Sequence, residues 1–188
     1  MSAKPFEQEF RELKDAVQKL QDIEDVRLLK HRYFRCIDTA NLKELAELLH
    51  KDFSADVRGG WYHHQLKGPD DWIDLIRYSF HSEFKATHTG HHPEIEILDR
   101  NNAVGRWYLT EEVIDFRRNF SMTGASLYND RYVKEDGRWF ILHLQYERIY
   151  EIVDYDRPKP NFTAHYLGEH GVRHPPGVFV DPRQTTFY

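Results

Sequence analysis

Between residues 86 and 151 the chain carries four strand-like segments, roughly 86 to 98, 103 to 116, 121 to 134 and 138 to 151, and two of the joins between them are short. Asp99-Arg100-Asn101-Asn102 and Glu135-Asp136-Gly137 hold side chains that accept turn conformations, so neighbouring strands should run antiparallel. The helical periods come earlier. Phe6, Phe10, Leu13, Val17 and Leu20 repeat at four, three, four and three, which predicts a helix over 6 to 20 with a narrow apolar seam suited to docking on the domain or on a neighbouring subunit. Ile23, Val26, Leu29, Phe34 and Ile37 predict an amphipathic helix over 22 to 38, and residues 42 to 49 a third. A hairpin around Gly59 and Gly60 follows, then a helix over 70 to 80 burying Trp72, Ile73, Ile76 and Phe80. The order is that of an α+β domain.

The 188 residues, 40% hydrophobic, suffice for one core, expected over 22 to 153. Residues 1 to 21 read as a helical extension. Residues 154 to 188, with five prolines between Pro158 and Pro182, read as an extended tail whose Phe162, Tyr166, Phe179 and Phe187 can lie against the domain or a neighbouring subunit. A formal charge of -5 argues against a nucleic-acid partner. Cys36, within the apolar rhythm of its helix, is expected to be a buried, unreactive thiol. No stretch reads as a secretion signal or a bilayer span, so a cytoplasmic protein with no membrane partner is expected.

Alternation splits each strand into two faces and exposes polar residues on apolar ones. Ala103, Gly105, Trp107, Leu109, Glu111 and Val113 share a face, so Glu111 is either a functional carboxylate or marks an exposed strand end. Phe140, Leu142, Leu144, Tyr146, Arg148 and Tyr150 share another, where Arg148 either pairs with Glu111 or awaits a substrate oxygen. Alternation puts His88 and His92 on one face and His91 on the other, a spacing that matches no metal-ligand pattern. A single histidine carrying a proton, steadied by a carboxylate such as Asp38, is more economical. Tyr33 and Asp38, five residues apart near the end of their helix, can meet across the mouth of a cavity, although an ordinary half-buried tyrosine and a helix cap would read the same way.

The segments KHRYFRCID, THTGHHPEIEI, AVGRWYLTEE and DGRWFILHLQYERIYE resemble those of the bacterial bile acid 7α-dehydratases, within the SnoaL-like and NTF2-like proteins, over residues 16 to 152. The resemblance implies a cone-shaped fold with a steroid-sized pocket, a trimeric assembly, and a catalytic set of Tyr33, Asp38, His88 and Arg148, with Glu111 where the family has aspartate. It also implies substrate contacts near Val57 and Phe120, each where the family has a tyrosine; Trp107 and Tyr146 complete the expected contacts. The activity implied is a cofactor-independent dehydration of a hydrophobic, steroid-like or polycyclic hydroxy-carbonyl compound. An isomerase or cyclase, or a non-catalytic binding subunit, would use the same fold.

Overall fold

A computed structural model describes residues 5–155 and 160–175. The helices expected over 6 to 20 and 22 to 38 form one rod, α1 (Phe6–Asp38), because no glycine or proline interrupts the chain between them. α2 (Leu42–Leu48) follows, its first turn capped by Asn41, whose side chain accepts from the Glu44 N–H at 3.3 Å. Then come β1 (Leu49–Arg58), β2 (His63–Lys67), α3 (Pro69–Ser79), β3 (Phe84–Ile97), β4 (Asn102–Asp115), β5 (Phe120–Glu135), β6 (Arg138–Tyr155) and α4 (Tyr166–His170). Pro69 opens α3 at the position where a missing N–H is harmless.

The six strands make one sheet in the order β2-β1-β6-β5-β4-β3, antiparallel except for the parallel pair β1 and β6. α1 lies against β3 and α3 against β1, so the helices close over one face of the sheet in an α+β cone. Trp107, Leu109, Tyr128, Tyr132, Ile141 and Leu144 line that face, buried with Val26, Leu29, Phe34 and Ile37 of α1. Cys36 is fully buried, and burial pushes its thiol up to about 11. α1 is pinned where it enters the domain: Lys134 Nζ and Trp139 Nε1 donate to Asp22 at 2.6 and 3.1 Å.

Inside the core sits an ion pair with no counterpart among the expected residues. Lys30 Nζ lies 2.7 Å from Asp130 Oδ2, and both side chains are 0% exposed. The ammonium is enclosed by the rings of Tyr128, Tyr33 and Phe34, at 3.7, 4.5 and 4.9 Å from their centroids. Burial lowers the Lys30 pKa against the pull of Asp130, and raises that of Asp130 against the pull of Lys30. Asp130 also accepts from the Tyr132 hydroxyl at 2.9 Å, which in turn accepts from Trp107 Nε1 at 3.0 Å.

The tail is not simply extended. Residues 166–170 form α4 with Leu167 buried, and the segment is tied to the start of β3 and the end of α3. His165 Nε2 lies 3.2 Å from the Phe84 carbonyl, His174 Nε2 lies 3.0 Å from that of Arg77, and the Val172 carbonyl accepts from the Ser82 N–H at 3.1 Å. Phe162 packs edge-on against Phe116. Phe179 and Phe187 lie outside the described residues.

Removing Asp130 strands a buried ammonium. Asp130→Ala should lower unfolding stability by about 3–5 kcal/mol. The double change Lys30→Met with Asp130→Leu should recover most of that loss, as read by urea denaturation.

Candidate active site

The site is assembled by strand register. Pairing of β3 with β4 sets His88 opposite Glu111, and pairing of β4 with β5 sets Glu111 opposite Gly124. On β6, Arg148 pairs with Ser126. The guanidinium crosses β5, and Arg148 Nη1 reaches Glu111 Oε1. The same nitrogen donates to Ser126 Oγ at 2.9 Å, and Nε faces Glu151 Oε2 at 2.8 Å. The Glu111 side chain is 6% exposed, so its strand end is not open to water.

Glu151 depends on an irregularity. The register of β5 on β6 shifts between Ala125 and Ser126, which pair with Tyr150 and Arg148 and leave Ile149 as an extra residue. The bulge reverses the alternation, so Tyr150, expected on the face of Arg148, is exposed and Glu151 points inward in its place. A second shift between His91 and Glu94 likewise cancels the expected facing of His88 and His92.

At the other end, Asp38 closes α1 against His88. Asp38 Oδ1 lies 2.6 Å from His88 Nδ1, and both carboxylate oxygens accept from the His88 backbone N–H, at 3.2 and 3.1 Å. An ionised carboxylate can only accept, so Nδ1 carries a proton, and in the neutral ring Nε2 presents the lone pair. Glu111 Oε2 is 3.6 Å from Nε2, beyond hydrogen-bond reach. Phe34 stacks on the imidazole at 6.4 Å between centroids, and Gly90 makes that contact possible, since a Cβ there would lie 2.1 Å from the Phe34 ring. Asp38 stands behind His88 and not at the cavity wall, so it does not meet Tyr33 across a cavity mouth.

The cavity bounded by these groups measures about 160 Å³. Tyr33, His88, Glu111 and Arg148 line it, as do Val57, Phe120 and Tyr146. Trp107 does not: it is 0% exposed in the core, with its N–H on Tyr132, because the inward face of β4 runs past the cavity into solid packing. Two further phenols enter that no alternation pattern singled out. Tyr128 shares a hydrogen bond with Tyr33, and Tyr62 shares one with Tyr146 and accepts from Arg148 Nη2 at 3.3 Å. Tyr62 comes from the β1–β2 turn, where a Cβ on Gly59 would lie 2.2 Å from its ring, so that glycine lets the ring fold inward. Burial raises the pKa of Tyr33, Tyr128 and Tyr146 well above the ordinary 10, joined by the negative charge of Asp130 at Tyr33 and Tyr128 and by the neighbouring phenols at Tyr146. They are neutral hydrogen-bond donors at any physiological pH.

Among the described residues, no group of three or more His, Cys, Asp or Glu side chains is disposed to hold a metal ion, and no helix is long and apolar enough to cross a membrane. A SnoaL-like domain model matches residues 18–145. Among solved structures, a type 2 hexachlorocyclohexane dehydrochlorinase is 18% identical, with 87% of this chain and 99% of that one covered and a TM-score of 0.68. A type 3 dehydrochlorinase from Novosphingobium barchaimii is 19% identical over 77% and 99%, with a TM-score of 0.64. A Novosphingobium aromaticivorans protein provisionally called a scytalone dehydratase is 17% identical over 78% and 95%, with a TM-score of 0.62. At such identities the likeness is one of fold.

The raised phenol pKa values have a measurable sign. A group whose folded pKa exceeds its unfolded one stabilises the fold fully below the unfolded value, here 10, and that stability is lost as pH rises through the folded value. Ultraviolet titration should therefore leave Tyr33, Tyr128 and Tyr146 un-ionised in folded protein at pH 10, with their ionisation arriving together with alkaline unfolding.

Proposed function

The chain belongs to the SnoaL-like domain family, and we propose that it is a cofactor-independent lyase that eliminates water from a small, neutral, cyclic hydroxy-carbonyl compound. One observation carries the reading: His88 Nδ1 is held by Asp38, while Nε2 has no hydrogen-bond partner among the described residues and stands at the wall of a largely apolar cavity. His88 Nε2 removes a proton from the carbon beside the carbonyl, and the electron pair moves onto the carbonyl oxygen as an enolate. Neutral phenols can meet that oxygen, Tyr33 and its hydrogen-bonded partner Tyr128 among them. The enolate then collapses, the bond to the β-hydroxyl breaks, and a proton delivered to the departing oxygen makes water and an unsaturated carbonyl product.

A hydroxyl is a poor leaving group and needs that proton, which suits a cavity lined by donors. His88, now protonated, or the Tyr62 phenol polarised by Arg148, can supply it. Arg148 is already engaged by Glu111 and Glu151, and Arg118, which also lines the cavity, pairs with Asp115, so each of these lining cations is already held by a carboxylate. Such a site disfavours an anionic substrate. Its volume of about 160 Å³ is close to the roughly 150 Å³ that holds benzene and below the roughly 300 Å³ at which drug-sized pockets begin. One reacting ring fits inside. A steroid of the bile acid kind would keep its remaining rings beyond the cavity. The same base and phenols would serve an isomerase, whose product keeps its mass.

The test is turnover of one-, two- and four-ring β-hydroxy ketones, followed by ultraviolet absorbance of the conjugated product and by a mass loss of one water. His88→Ala should lower the rate by about 10²- to 10⁴-fold with the fold retained. Tyr62→Phe should lower it less. Near-normal turnover in His88→Ala would contradict the mechanism, and product of unchanged mass would replace the lyase with an isomerase.

A further inference from the structure

The first four turns of α1 carry an apolar seam that its own domain does not cover. Phe6, Phe10, Leu13, Val17 and Leu20 are 79%, 59%, 62%, 45% and 67% exposed, and every described residue from Pro5 to Gln21 is exposed. The helix direction explains why. Downstream, Val26, Leu29, Tyr33 and Ile37 face the core, and Asp22 fastens the rod to Lys134 and Trp139. Leu13 and Tyr33 are twenty residues apart, which leaves them about 160° apart around the axis. The seam therefore points away from the domain, and no straight continuation of α1 can turn it inward.

The spacing of the seam identifies what covers it. An alternation of three and four is a period of 3.5, the coiled-coil period, and not the broader 3.6-residue stripe of a helix lying on a globular surface. In heptad terms Phe10 and Val17 take the a positions and Phe6, Leu13 and Leu20 the d positions. A second copy of this chain presents the same seam in the same register. We propose that residues 6 to 20 form a parallel, in-register, two-stranded coiled coil with the same segment of a second copy.

Three features favour this occupant and this arrangement. The flanking g and e positions pair Glu9 of one copy with Lys14 of the other, an attraction that exists only in the parallel register. Branched Val17 at a, between Leu13 and Leu20 at d, is the pattern that favours two strands. Each domain lies on the side of its helix opposite the seam, so two rods can meet with both domains outside. The seam stops at Glu24 and Arg27, which occupy the next a and d positions and bond to each other. It spans about 22 Å along the axis. Its burial amounts to on the order of 500 Å² per copy, below the roughly 800 Å² per partner of a standard interface. Association through it is thus reversible and concentration-dependent.

The test uses the full chain. Sedimentation velocity over a range of concentrations should show a mass that halves when Leu13→Asp and Val17→Asp are combined, with the thermal midpoint of the domain and its activity unchanged. Under mild oxidation, Leu13→Cys should form an interchain disulfide at least about tenfold faster than Asp15→Cys, which stands on the opposite side of the rod. The native Cys36 is buried and does not compete. An unchanged mass in the double variant, or equal cross-linking at the two positions, would overturn the proposal. Cross-linking of Phe6→Cys only to Val17→Cys would overturn it in favour of an antiparallel pair. A monomeric wild type whose seam instead binds phosphatidylglycerol vesicles would reassign the surface to lipid.

Discussion

The Asp38 carboxylate holds both the ring nitrogen and the backbone N–H of His88, and the geometry of the whole site depends on that clasp. It ties the end of α1 to the middle of β3, fixes the imidazole about its own axis and selects the tautomer. Few other contacts could bring a helix end this near to a strand. The approach works because Gly90 lacks a side chain, so Phe34 can lie over the strand and stack on the imidazole from the helix side. The same helix, three residues before Tyr33, inserts Lys30 between the Tyr33, Phe34 and Tyr128 rings. α1 is thereby located at several points along its length, and His88 inherits that rigidity.

The Lys30–Asp130 pair and the Glu111–Arg148–Glu151 group both bury charge next to the cavity residues. Ion pairs in such places contribute little net stability, because desolvation offsets most of the attraction, but losing one partner is severe. What they fix here is orientation. Arg148 is held between two carboxylates and Ser126, and from that position it fixes the Tyr62 phenol. Asp130 orders Tyr132 and Trp107 beneath the cavity, and its negative charge helps to keep the nearby phenols protonated. The cavity thus gains neutral donors on one side and a base on another, with no mobile charge between them.

Much of this was legible in the residues. Glu111 and Arg148 stood out as polar groups on apolar strand faces, His88 with Asp38 was singled out by a His-rich strand and the family resemblance, and the antiparallel pairing of β3 with β4 and of β5 with β6 followed from the turn residues between them. Other parts were hidden for definable reasons. Glu151 faces inward only because a bulge at Ile149 reverses the alternation, and a bulge leaves no mark in hydrophobic period. Tyr62 sits in a turn, where facing has no period, although the glycines before it were a signal of close approach. Lys30 reads as a solvated residue on a helix flank until its partner, a hundred residues away in the chain, is known. Trp107 shows the opposite error: alternation says which side of a strand is inward, but not whether the inward space is cavity or packed core. Val57 lines the cavity without a hydroxyl, and the neighbouring turn brings in a phenol with Tyr62.

Nitrogen-15 NMR of the His88 ring, recorded on wild type and Asp38→Asn at neutral pH, reads the tautomer on which the proton transfer rests. The wild type should show a protonated Nδ1 and an unprotonated Nε2, and the variant should lose that preference, since an amide can donate to Nδ1 as readily as accept from it. A wild-type ring carrying its proton on Nε2 would mean that the nitrogen facing the cavity has no lone pair to offer, and His88 could not be the base; a tautomer unchanged in the variant would mean that Asp38 does not select it.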